Sequence, residues 1–77
     1  MRRINIVKDN KITTITFREK SDLIDYIFFN IQVKQESGTP DASKSKEIAN
    51  LVWNLGYAKE LITEWGYKFR VFAKGVA

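Results

Sequence analysis

Along residues 39–66, Ile48, Leu51, Val52, Leu55, Ala58, Ile62 and Trp65 recur at spacings of three and four. Residues at that rhythm share one face of an α-helix. The stretch therefore predicts a helix whose apolar stripe organises the rest of the fold. Thr39 before Pro40 fits a cap followed by proline at the first helical position, with Asp41 behind it. Residues 42–46 are polar and read as a first turn or as more loop. Gly66 after Trp65 fits a left-handed stop. Gly56 sits inside the pattern, where glycine costs about 1 kcal/mol relative to alanine. It either interrupts the helix or is tolerated within it, and the unbroken phase of the stripe favours continuity.

Residues 3–8 alternate as a strand, and Ile12 to Arg18 is β-branched and aromatic. Asp9-Asn10 between them tolerates the left-handed backbone of a tight hairpin. A two-residue loop there pairs Ile6 with Thr13 and Ile4 with Ile15. Both strands then agree on an apolar face, with Arg3, Asn5, Thr14, Thr16 and Arg18 on the other. Ser21 can cap a helix over 22–34, with Asp22 and Asp25 in its first turn and Leu23, Ile24, Ile27, Phe28 and Ile31 as its stripe. Residues 28–34 also alternate, so a strand is the rival reading there. Length and the cap favour helix. Residues 67–74 read as a third strand, with Phe69 and Val71 on one side and Lys68, Arg70, Phe72 and Lys74 on the other.

The expected fold is α+β in two layers, a single small domain over residues 1–77. A three-stranded, mainly antiparallel sheet, in the chain order strand-strand-helix-helix-strand, carries two helices on one face. With the helices as an antiparallel pair, the order 1-2-3 is all antiparallel and 2-1-3 contains a parallel pair. At 77 residues such a domain buries only about 60% of its unfolded surface, close to the practical minimum for a single core.

Composition narrows the chemistry. The chain has no cysteine and no histidine, which removes disulfides, thiolates and the commonest general base and metal ligand. The serines have no histidine to activate them, the carboxylates form no acid–base pair, and the glycines are single rather than clustered as a phosphate loop. No catalytic residue, cofactor, metal or small-molecule substrate is predicted. The longest apolar run, Tyr26-Ile27-Phe28-Phe29, is too short for a membrane span, and the N-terminal residues lack a signal-peptide core. A cytoplasmic, non-enzymatic protein is the expectation.

The net charge of +4 is unevenly distributed. Residues 1–20 carry +4 and residues 67–77 carry +3, while residues 21–66, with four basic and seven acidic side chains, carry −3. Two candidate surfaces follow. On the helix of 39–66, Trp53 and Tyr57 lie opposite the stripe, one turn apart, flanked by Asn50 and Glu60. Aromatics on a polar face are residue types that anchor protein interfaces. They would equally serve as core if the helix of 22–34 covers them. The second surface is the outer sheet face, where Arg3, Arg18, Lys68, Arg70 and Lys74 surround Phe72. Cations and an aromatic there suit nucleic acid, although lysine, arginine and threonine also furnish ordinary solvated strands. The leading expectation is a small regulatory protein of inhibitor or adaptor type that binds a protein partner or a second copy of itself. The alternative is a nucleic-acid-binding protein.

Overall fold

The computed structural model describes residues 1–33, 39–56 and 59–71. A four-stranded antiparallel sheet forms one layer and two helical segments form the other. Strands β1 (Arg2–Lys8) and β2 (Lys11–Phe17) make the N-terminal hairpin. Asp9 and Asn10 both take positive φ, 51° and 66°, as a two-residue turn matched to strand twist requires. The hairpin has the register predicted from the sequence, Ile6 opposite Thr13 and Ile4 opposite Ile15.

Helix α1 (Lys20–Tyr26) begins one residue before Ser21. Glu19 is its N-cap, and its backbone N–H donates to the Asp22 carboxylate at 3.3 Å. The helix runs on as a wider π-helical segment, Ile27–Gln32, so the alternation of 28–34 does not produce a strand in the described residues. Leu23, Ile27 and Ile31 line up on the buried side. Helix α2 (Ala42–Trp53) is capped by Asp41, whose carboxylate accepts from the Lys44 N–H at 3.1 Å. Thr39 and Pro40 precede the cap, and the polar residues 42–46 form the first turns.

The long helix over 39–66 is corrected by the structure. α2 stops at Trp53, three residues before Gly56. The Asn54 side-chain amide and backbone N–H both donate to the Asn50 carbonyl, at 2.9 and 3.2 Å, and Leu55 N–H donates to Val52. Asparagine competes for helical carbonyls in this way and favours termination. After Gly56 the chain returns as strand β3 (Glu60–Ile62), which pairs antiparallel with β4 (Lys68–Val71). Leu55, Ile62 and Trp65 kept helical phase by coincidence, because a three-residue strand is too short to display its own period.

The extra strand also corrects the sheet. Among the described residues it has four strands rather than the expected three, in the order β2-β1-β4-β3. The last strand lies beside β1, as in the 2-1-3 alternative, yet runs antiparallel to it. β3 supplies the additional reversal. Gly66, with φ +82°, is left-handed as expected, but it turns the β3–β4 hairpin rather than ending a helix. Thr63 N–H donates to the Tyr67 carbonyl at 2.8 Å across that turn, and Tyr67 N–H donates to Thr63 Oγ1 at 3.2 Å.

One contiguous core fills the space between the layers. Ile4, Ile6, Phe69 and Val71 of the central strands meet Leu23, Ile27, Ile31, Ile48, Ala49 and Val52 of the helices. The buried side of α2 is Ser45, Ile48, Ala49 and Val52; Leu51, assigned by spacing to the same stripe, is 52% exposed. Among the described residues no helix is long and apolar enough to cross a membrane.

Candidate interaction surface

The two helices occupy the side of the sheet marked by Ile4 and Ile6, which leaves the opposite side without a covering element among the described residues. Strand alternation and register fix what that open side presents. One row crosses all four strands as Ile12, Val7, Lys68 and Ile62. The next row is Thr14, Asn5, Arg70 and Glu60, and a third begins with Thr16 and Arg3. Ile12 and Ile62 are 67% and 65% exposed.

The polar row is partly organised. Thr14 Oγ1 donates to Asn5 Oδ1 at 2.7 Å, and Lys68 Nζ lies 3.8 Å from the Glu60 carboxylate. Arg3 and Arg70 have no ion-pair partner among the described residues. Arg3, Lys68 and Arg70 against Glu60 leave this face positive.

Of the basic set predicted from the sequence, Arg3, Lys68 and Arg70 are brought together here. Arg18 is exposed just beyond the end of β2. Phe72 and Lys74 lie outside the described residues, so this face shows no aromatic among them.

The helix-based set is not brought together. Trp53 is half-buried at the last residue of α2, packed against the core, with the Arg2 guanidinium carbon 5.7 Å from its ring centroid. Asn50 is half-buried, with its carbonyl engaged by Asn54. Tyr57 lies outside the described residues. Glu60 belongs to β3 on the open sheet face, because the helix that would have placed it beside Trp53 ends too early. The apolar row was missed because Ile62 was assigned to a helix and because Val7 and Ile12 occupy outward positions in otherwise polar alternation. The hairpin register alone was enough to reveal Val7 and Ile12 as neighbours on the outer face.

Compared with protein-family models, curated proteins and solved structures, the chain finds no match.

Proposed function

We propose that this chain is a small, non-enzymatic binding module that regulates or bridges a protein partner through its open sheet face. The observation that carries the reading is the row Ile12, Val7, Lys68 and Ile62, apolar at both sheet edges with a cation within it, and Arg70 in the next row. Exposed isoleucines gain by burial in an interface. A cationic margin favours a partner that offers carboxylates and an apolar ridge. The same positive charge opposes face-to-face packing of two copies, so a foreign acidic protein fits better than a homodimer. Nucleic acid would use Arg3 and Arg70 but would gain little from the isoleucines. Base recognition on sheets rests on stacking aromatics.

The test is capture from native cell extract, with and without nuclease, followed by binding to the purified captured protein. Wild type, Ile62→Asp and Arg70→Glu serve as baits, and both substitutions lie at exposed positions that leave the core intact. The reading expects a nuclease-resistant acidic protein whose affinity falls at least tenfold in each variant, about 1.4 kcal/mol or more. Retention that nuclease abolishes, or that both variants preserve, overturns it.

A further inference from the structure

On the helix side of the sheet, the core does not extend to the hairpin end. A cleft of about 270 Å³ opens there, lined by Ile6, Lys8, Lys11, Thr13, Tyr26, Asn30 and Tyr67, with Asp9 also on its lining. Its origin is legible in the register. Lys8, Lys11 and Thr13 continue the inward-facing positions of β1 and β2, where the apolar residues give way to polar ones. Tyr26 and Asn30, four residues apart on the first helical segment, lie over them. Tyr67, immediately before β4, closes the side.

The lining is graded in depth. Ile6 is buried, Lys8, Tyr26, Asn30 and Tyr67 are half-buried, and Lys11, Thr13 and Asp9 form an exposed rim. Lys8 is fixed: its ammonium donates to the Trp65 carbonyl at 2.6 Å and stands 5.0 Å from the Tyr67 ring centroid. Among the described residues, two of its three donors are left for another acceptor. Lys11 has no ion-pair partner among the described residues. Burial, and then the neighbouring Tyr67 phenol, raise the Tyr26 pKa above its usual value, so Tyr26 is a neutral donor at physiological pH.

We infer that this cleft binds the phosphate group of a small molecule, with Lys8 and Lys11 supplying charge and Tyr26, Tyr67, Thr13 and Asn30 supplying directed hydrogen bonds. Donor-bearing side chains from both layers line the cleft in greater number than the two oxygens of a carboxylate can use, whereas a phosphate dianion offers three terminal oxygens. The volume falls just below the range of about 300–1,000 Å³ usual for pockets holding drug-sized ligands, so the ligand is small. Ile6 and the two tyrosine rings give an organic body somewhere to pack. Asp9 opposes the anion from the rim and sets an upper limit on affinity. The site is on the opposite side of the sheet from the proposed protein-binding face and stands independently of it.

Chemical-shift titration of the labelled full chain, in phosphate-free buffer at low ionic strength, tests the assignment. The probes are phenyl phosphate, inorganic phosphate and benzoate. Phenyl phosphate is expected to saturate with shifts centred on Lys11, Thr13, Asn30 and Tyr67, at least tenfold more tightly than benzoate. Tighter binding of the ester than of the free ion identifies an organic phosphate, and the reverse identifies phosphate itself; both support the site. Lys11→Met and Tyr67→Phe should each weaken phosphate binding at least fivefold while leaving the spectrum of the core residues in place. No saturable shift, equal affinity for benzoate, shifts confined to the Arg3–Arg70 face, or binding preserved in both variants overturns the inference.

Discussion

The Gln32 side-chain amide donates to the hydroxyl of Ser45 at 2.5 Å, inside the joint between the first helical segment and α2. The same amide nitrogen donates to the Asp41 carbonyl at 3.1 Å, and its oxygen accepts from the Asp41 N–H. Gln32 is 4% exposed and Ser45 is wholly buried, so water cannot easily replace these partners. Of these groups the Asp41 N–H is one that the helical ladder leaves open, whereas the Asp41 carbonyl also accepts from the Ser45 N–H at 3.0 Å.

Gln32→Ala is expected to destabilise the protein by about 1–3 kcal/mol, since it takes a partner from the buried Ser45 hydroxyl and from the Asp41 N–H. Gln32→Glu should also destabilise, because its carboxylate can accept from Asp41 N–H but cannot donate to the Asp41 carbonyl when ionised. Urea midpoints for the two variants, at unchanged slope, check both effects. A loss under 0.5 kcal/mol in Gln32→Ala would show that the joint contributes little.

Trp53 follows from its packing against the core and its place beside Arg2. Trp53→Ala should lower stability by about 2–3 kcal/mol, less than the 3–5 kcal/mol typical of a fully buried tryptophan. A double-mutant cycle with Arg2→Met should return a coupling of about 0.5–1 kcal/mol for the cation over the ring. Chemical denaturation measures both. Unchanged stability in Trp53→Ala, with a weakened protein partner, would return the residue to the interface role suggested by its helical position.

The hairpin and the basic residues on its outer face were legible because Asp9-Asn10 and strict alternation fix one register. The existence of both helices was legible from their stripes. The helix boundary at Trp53 was not, since Asn54 ends α2 through local hydrogen bonds that no periodicity records. β3 escaped notice because Glu60-Leu61-Ile62 derives its conformation from pairing with β4 rather than from propensity. Glu60 consequently changed surfaces, from the back of a helix to the open sheet. Gln32 and Ser45 lay unremarked in polar positions whose partners are set only by tertiary packing.

Gly66 turns between β3 and β4 with φ +82°, a conformation that costs a side-chain-bearing residue about 1–2 kcal/mol. A Cβ there would also stand 3.1 Å from Lys8 Nζ, which would have to give by a few tenths of an ångström. Gly66→Ala should therefore destabilise by about 1–2 kcal/mol, mostly through backbone strain. Gly66→Asn should recover part of the loss, because asparagine tolerates the left-handed region better. Thermal midpoints of the two variants give the comparison, and equal loss in both would assign the cost to crowding at Lys8 instead.

Alkaline pH should weaken the fold through Tyr26. Burial first, and the neighbouring Tyr67 phenol second, raise its pKa above the ordinary 10.0. The folded state therefore holds the phenolic proton more tightly than the unfolded chain does. Its stabilising contribution is present below pH 10 and declines as pH rises through the raised folded value. Lys44 acts in the same direction: its hydrogen bond to Glu64, and then the attraction of that carboxylate, raise its pKa, so this pairing is also lost at high pH. Tyr26→Phe separates the two. Urea midpoints measured from neutral pH to beyond pH 10 should fall less steeply in that variant than in wild type. Absorbance at the phenolate band should show a late-titrating component that the substitution removes. Identical alkaline slopes in the two proteins would instead assign the effect to Lys44.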